Sequence, residues 1–565
     1  MERILLVEPN YSNKYPPLGL MKIATFHRMR GDIVEFYKGE APYTKITQFD
    51  RVYITSLFTF HYDITMKCIQ HYMKYINKDC IYFGGIAATL LPTEFRKDTG
   101  IENILCGLLT DATTLGYDDK TNIDLLPLDY DILDDTSYVY PAGDNYFIHT
   151  TRGCPRGCPF CAVKTLEPEF VTTNNVIEQV TRVNEVYGQK RNLLVMDNNI
   201  LCSTKLQEII SDIRSLGFTG KKDYVAPNPF KIMMAKVRRR IQYKVAWTKQ
   251  VDDIVLYLQS FAKQLKRYPS VHKQFFELIN GISQSDDIWA ALQKNEKVLF
   301  QYTEKYRSKT RMIRYVDFNQ GIDARLINQQ TAKVLSDIPV RPFRLAYDSI
   351  DETNTFISAT KIAMANGVKE FSNYILYNWK DKPEDLWIRL NNATSLYSER
   401  NQNSPQKVSG FSFPMKYAPI HEKDRSYVGE HWNKKYLGAI SIILNVTKGV
   451  VAKEKGFFFE AFGASIEEFF EILIMPDEFI RFRHFFRDIG LLPFWRDLYT
   501  ALPTTARNSL LDILCKAKTD RSVLYNEHYP LQLRKILELY RINKSQFDRG
   551  EKNADMVMHV INEMY

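Results

Sequence analysis

The chain is 565 residues long, too long for a single hydrophobic core at about 100–200 residues per domain, so several units are expected. Hydrophobic residues at 45% and charged residues at 25% exclude a disordered chain and fit a folded globular protein. Lys and Arg number 75 against 66 Asp and Glu, a net charge of +9, and eight scattered cysteines exclude a small disulfide scaffold.

Residues 1–10 run from Glu2 and Arg3 into a short apolar stretch that lacks the long apolar region and cleavage site of a signal peptide, so no export is expected. Buried strands are predicted at residues 4–7, 51–55 and 80–83, separated by helical spacing such as that of 18–30. This pattern predicts a doubly wound, Rossmann-like α/β domain over residues 1–115. Residues 116–145, rich in Asp and Pro, read as an acidic linker lying over the surface. From Tyr146 the alternation resumes, with strands predicted at 146–150, 192–196, 315–318, 343–346, 374–377 and 410–413. Six such β/α units predict a TIM-like barrel or partial barrel over 146–435, with its chemistry at the C-terminal strand ends. The alternation breaks at 221–314, where long helical patterns without a strand predict an insertion.

Residues 436–565 read as a helical C-terminal domain. Ser465 and Glu468 form a capping box there, and Phe479, Phe482 and Phe486 recur at the spacing of one packed helix face. The apolar run 436–452 is interrupted by Asn445 and Lys448 and is too short to span a bilayer, so no membrane contact and a cytoplasmic location are expected.

Directly after the first barrel strand the chain reads Thr151-Arg-Gly-Cys154-Pro-Arg-Gly-Cys158-Pro-Phe160-Cys161, a C-x3-C-x2-C spacing. Small and turn-forming residues between the thiols let one loop curl around a single inorganic centre, and thiolates are the usual ligands of iron-sulfur clusters. Three ligands leave one iron of a four-iron cluster open. The competing reading is a structural zinc with His149 as fourth ligand. Zinc cysteines normally come in two spaced pairs, however, and His149 lies within a strand whose side chains alternate in direction.

This loop resembles the signature of the radical S-adenosylmethionine (SAM) superfamily. The resemblance implies a [4Fe-4S] cluster on Cys154, Cys158 and Cys161, SAM chelated to the open iron, and its reductive cleavage to a 5′-deoxyadenosyl radical that abstracts hydrogen from a substrate. It places Phe160 near the adenine and implies an electron donor of flavodoxin or ferredoxin type. Asp197, Asn198 and Asn199 resemble the second strand end that approaches the methionine part of SAM, although the usual glycine-rich version is absent, and an Asx turn would explain them equally. At later strand ends Gln320, Asp323 with Arg325, Asp348 and Asn378 are cofactor-binding candidates. Asp323 is alternatively only the salt-bridge partner of Arg325, and Asp348 and Asn378 are alternatively helix caps. Residues 381–389 resemble the helix start after the fifth strand.

The N-terminal domain is similar to the cobalamin-binding domains of one branch of that superfamily, through Pro16-Pro17-Leu18-Gly19-Leu20, Ser56-Leu57 and Gly84-Gly85. Bound cobalamin and a scaffold that keeps only the fold both remain open. The Asp-x-His-x-x-Gly loop that supplies a lower cobalt ligand is missing, so any corrinoid would bind without that histidine. With cobalamin the implied reaction is methylation of an unreactive carbon.

Residues 221–314 contain 20 Lys and Arg against 8 Asp and Glu, a balance of +12, whereas the remainder has 55 against 58, or −3. Lys236, Arg238, Arg239, Arg240 and Lys244 stand beside Tyr243 and Trp247, a mixture that suits RNA or DNA, a solvated face or an acidic partner. A rival from another class is therefore a non-catalytic nucleic-acid-binding protein with a structural metal.

Overall fold

The computed structural model describes residues 1–173, 175–451 and 454–564. It is an α/β protein whose extended sheets are all parallel, and it divides into two compact units. One comprises Met1–Gln320, Lys333–Arg341 and Pro419–Arg425; the other comprises Gly321–Ala332, Pro342–Ala418 and Ser426–Tyr565.

The first unit opens with strands β1 (Arg3–Glu8), β2 (Ile33–Lys38), β3 (Arg51–Ser56), β4 (Ile81–Gly85) and β5 (Ile104–Leu105), in the order β2-β1-β3-β4-β5. Ile4, Leu5, Leu6 and Val7 are all fully buried, as expected where helices cover both faces of a parallel sheet. β2 and β5 are additions to the three strands predicted here; Ile33-Val-Glu-Phe-Tyr-Lys38 mixes charge with apolar residues because it pairs at an outer position, beside β1 alone.

Strands β6 (Tyr146–Ile148), β9 (Leu193–Val195) and β10 (Val316–Phe318) form a three-stranded parallel sheet in the order β10-β9-β6. Between β6 and β9 lies a short antiparallel pair, β7 (Thr151–Arg152) with β8 (Val171–Thr172). Ile148, Val195 and Phe318 stand in register, so the segments following them leave the sheet at one edge. The predicted strand 146–150 is shorter than expected because the chain turns after Ile148 to begin the hairpin.

Residues 221–314 fold into four helices, Pro229–Gln242, Thr248–Gln264, Pro269–Ser283 and Ile288–Tyr306. They share a core that includes Phe230, Met234, Leu258, Phe261, Phe275 and Leu299. The module returns to its starting point: Tyr224 and Met312 exchange backbone hydrogen bonds of 3.1 and 2.8 Å.

In the second unit, β11 (Phe343–Ala346), β12 (Glu370–Tyr377) and β13 (Ser409–Lys416) form another parallel three-stranded sheet. Short helices follow from Lys434. The helix Ile466–Ile474 is capped by Ser465, whose hydroxyl accepts the Glu468 N–H. The predicted face of Phe479, Phe482 and Phe486 is interrupted: helices Asp477–Arg481 and Arg483–Asp488 meet at Phe482, which is 37% exposed, while Phe479 and Phe486 stack in the core. No helix of the described residues is long and apolar enough to cross a membrane.

Candidate functional site

The β7–β8 pair closes the base of the cysteine loop. Gly153, at φ +70°, makes the turn into it; a Cβ there would lie 2.1 Å from the Glu169 carbonyl oxygen, so only glycine fits. Glu167 then ties the loop together. Its carboxylate accepts the Gly153 N–H at 2.6 Å, the Arg152 guanidinium at 3.1 Å and the Asn198 amide at 2.9 Å. The sequence signalled nothing special about Glu167, because its partners converge only when β9 lies beside the loop.

Cys154, Cys158 and Cys161 form no disulfide and are each half-buried, and the Cys161 N–H closes a tight turn on the Cys158 carbonyl at 3.0 Å. Two donors approach the Cys154 sulfur: the Arg156 N–H at 3.4 Å and the Asn199 amide at 3.6 Å. Donors of this kind stabilise thiolate charge and tune a cluster's potential. Three half-buried cysteines on one loop, with two N–H donors directed at Cys154, are a donor set of the kind that iron-sulfur clusters use. After Cys161 the chain stays anchored, since Ala162 and Leu166 pack against the core of the N-terminal sheet. Phe160 is half-buried within the same loop.

Asp197 is buried and faces the strand-loop junction, accepting the Thr150 N–H at 2.7 Å and the Thr150 hydroxyl. Burial pushes its carboxyl up against the pull of these donors. In this position Asp197 holds the approach to the loop, and Asn198 and Asn199 hold the loop itself. Gln320, just after β10, is exposed.

The other candidates belong to the second unit. Arg325 forms a two-pronged pair with Asp323 at 2.7 and 3.2 Å and approaches Glu352 at 3.5 Å. Burial and the Glu352 charge push the Asp348 carboxyl up to about 6. The buried Arg389 donates to the Tyr347 and Asp348 carbonyls and pairs with Asp381 at 3.0 Å, knitting the ends of β11 and β12 together. Neither Asp348 nor Asn378 caps a helix: Ser349 caps the turn after β11. Asn378 is fully buried at φ +71°, where its amide donates to the Tyr417 and Tyr427 carbonyls and accepts the Gly429 N–H. That geometry makes Asn378 a clamp on the backbone of Tyr417, Tyr427 and Gly429.

At the C-terminal ends of β3 and β4 lies a cavity of about 220 Å³, lined by Leu18, Gly19, Tyr53, Gly84, Leu108 and His149 among others. This is the switch point of a doubly wound sheet, where ligands usually bind. The volume suits one heterocyclic group and falls short of the roughly 300–1,000 Å³ of sites for larger ligands, so a whole corrinoid would not be enclosed. Two of the cobalamin-like matches serve the sheet itself. The Ser56 hydroxyl bridges Gly84 O and Ala88 N, and a Cβ on Gly85 would meet the Ser56 carbonyl oxygen at 2.3 Å. His149 lines this cavity together with Lys22 and Arg152, apart from the cysteine loop, and its Nδ1 has no hydrogen-bond partner. Burial and those two cations hold the imidazole well below its usual pKa.

No family model matches the chain, and no curated protein matches its sequence. Its chemistry must therefore be argued from its own residues.

The basic insertion differs from the expectation at the residues that defined it. Arg239 makes a two-pronged pair with Asp131 at 2.7 and 2.8 Å, Arg240 pairs with Asp135 at 2.7 Å, and Lys236 pairs with Asp134 at 2.8 Å. Arg28 reaches Asp129 at 2.7 Å and covers the Tyr243 ring at 4.3 Å, while Trp247 packs against the helical core near Trp289. The segment expected to lie over the surface is thus partly inside: Asp129 and Asp131 are 2% and 1% exposed. The acidic partner of these arginines is the chain's own linker.

Proposed function

We propose that this protein is a radical SAM enzyme, in which Cys154, Cys158 and Cys161 hold a [4Fe-4S] cluster and SAM is cleaved reductively to start radical chemistry on a substrate. The observation that carries the proposal is the cysteine loop: three half-buried cysteines at C-x3-C-x2-C spacing, none in a disulfide, in a hairpin shaped by Gly153 and Glu167. A bound cluster would supply the electron for SAM cleavage, drawn from a flavodoxin- or ferredoxin-type donor. The chain's own residues have separable tasks. Glu167 and Asp197 fix the loop on the edge shared by β6, β9 and β10. Asn199 and the Arg156 N–H direct donors at the Cys154 sulfur, and Phe160 is offered to the adenine. Strands β6 and β9–β13 are those assigned to the barrel.

Anaerobic reconstitution should yield about four irons per chain and a charge-transfer absorption band. Both should vanish in the Cys154→Ala/Cys158→Ala/Cys161→Ala variant. With dithionite and SAM the parent should release 5′-deoxyadenosine. Stoichiometric zinc with no iron would overturn the proposal in favour of a structural metal.

The switch-point cavity favours a second, more specific reading, in which the N-terminal domain receives the heterocyclic end of a corrinoid and the reaction is a methyl transfer. Retention of hydroxocobalamin through gel filtration, weakened by His149→Ala, is the expected result; loss of all corrinoid would leave the domain a scaffold.

A further inference from the structure

We infer that the face of the helical insertion around the end of its last helix is a binding face for single-stranded nucleic acid, built from the exposed Tyr268, the part-buried Tyr306 and Tyr302 behind it, and the cations around them. The inference is independent of the radical SAM proposal. It also departs from the segment the sequence favoured, since Arg239, Arg240, Lys236 and Tyr243 are engaged with the linker and with Arg28.

The ring centroids of Tyr268 and Tyr306 are 5.2 Å apart, and Tyr302 follows at 6.4 Å, nearly parallel to Tyr306. Arg267 lies 5.3 Å from the Tyr268 ring centre and Lys305 lies 5.2 Å from that of Tyr306. A second stacked pair, His272 with Phe276, stands at 5.8 Å on the neighbouring helix. Tyr268 is 42% exposed and Phe276 49% exposed, whereas Tyr302 and Tyr306 are partly buried against the helical core.

Residues 263–276 contain Lys263, Lys266, Arg267 and Lys273 and not a single Asp or Glu. None of these four, nor Lys305, has an ion-pair partner among the described residues. The nearby Glu304 is committed to Arg307 and Lys309 at 2.9 and 3.1 Å, which hold its carboxyl down to about 2. Glu277 is the remaining acid on the Lys273 helix. Complementing helix C-termini accounts for Lys263 and Lys305, each in a last turn. Lys266 and Arg267 likewise stand in the last turn of Leu265–Arg267, but that explanation does not account for Lys273 or for the exposed rings of Tyr268 and Phe276. Alternating cations and exposed ring faces match a strand whose phosphates and unpaired bases are both accessible, whereas a duplex would offer only its phosphates.

Fluorescence anisotropy of the full-length protein with labelled 12-mer RNA, 12-mer DNA and the matching duplexes tests this. Either single strand, or both, should bind more tightly than its duplex, and comparing the RNA and DNA arms identifies the preferred sugar. The logarithm of affinity should fall with log salt at a slope of about −0.7 per neutralised phosphate. Tyr268→Ala/Tyr306→Ala should weaken binding by at least about tenfold, while Tyr268→Phe/Tyr306→Phe should retain it, because stacking needs the ring and not the hydroxyl. Arg267→Gln/Lys305→Gln should shrink the slope by about 1.4, two contacts' worth. Matched far-ultraviolet circular dichroism establishes that the variants are folded. No salt-dependent binding by the parent, equal affinity for strand and duplex, or unchanged affinity in the Ala variant would overturn the inference. Equal affinity for polyglutamate would also overturn it, showing a general dock for acidic proteins.

Discussion

The cysteine loop and the basic insertion were the two most conspicuous features of the sequence, and they relate to the structure in opposite ways. In the loop, the residues that attracted attention form no disulfide and stay half-buried, while neighbours such as Glu167 and Asn198 bear the structural duties. In the insertion, the conspicuous residues are the ones consumed. Arg239 and Arg240 pair with Asp131 and Asp135, more than a hundred residues away. A chemical motif confined to one turn keeps its meaning in the fold, whereas a run of charge acquires its meaning from whatever long-range partner it meets.

The comparison is broken most directly at Arg240. Arg240→Ala would strand Asp135 beneath the helical module, and removal of one partner from so buried a pair costs about 3–5 kcal/mol. A thermal melt should show this loss with iron binding retained after reconstitution. An unchanged melt would mean that the pair is dispensable and the arginine available for a ligand after all.

Two buried groups of the same unit give the next effect, with opposite signs. Burial pushes Asp129 up to about 6 against the attraction of Arg28, so the folded state gains a proton first and gains stability as pH falls from about 6 towards 3.8. Burial holds His27 down to about 4 despite its 2.9 Å bond to Asp32, so the unfolded chain is protonated first and stability is lost between about 6.5 and 4. Each contributes about 3 kcal/mol across its window. Urea denaturation across this range should show His27→Gln becoming relatively more stable on acidification than the parent and Asp129→Asn relatively less so. Parallel curves for all three proteins would contradict both assignments.

A smaller effect is expected at the loop. Gly153→Ala meets the Glu169 carbonyl and imposes a left-handed conformation worth about 1–3 kcal/mol of strain. Iron content after reconstitution should fall while the melt of the helical segments is preserved. Least of all should follow from Arg238→Ala. Its pair with Glu296 is about half exposed, so a change of about 0–1 kcal/mol is expected, and a loss as large as that of Arg240→Ala would erase the contrast between buried and exposed members of the same Arg-Arg-Arg run.

The α/β alternation was legible because strand and helix periods are local properties. β1, β3, β4 and β11 lie within two residues of their predicted limits, and the break at 221–314 appears as four helices. β2 escaped because an outer strand need not be apolar throughout, and Phe482 was misplaced because a helix break one residue long leaves the apolar spacing intact.

Sequence alone determined the thiol spacing, since three cysteines within eight residues share one loop whatever surrounds them. Only the tertiary structure decided which polar residues serve the scaffold. Asn378 follows the parallel strand β12 and Asp197 follows β9, yet both turn to backbone donors or acceptors that sequence does not place beside them. Unpaired peptide groups in a buried turn cost more than a polar side chain gains by facing a cavity, so the fold claims such side chains first. The same rule acts on charge. The +12 of the insertion was countable from composition, but the part of it that reaches solvent was set by where Asp129, Asp131, Asp134 and Asp135 came to rest.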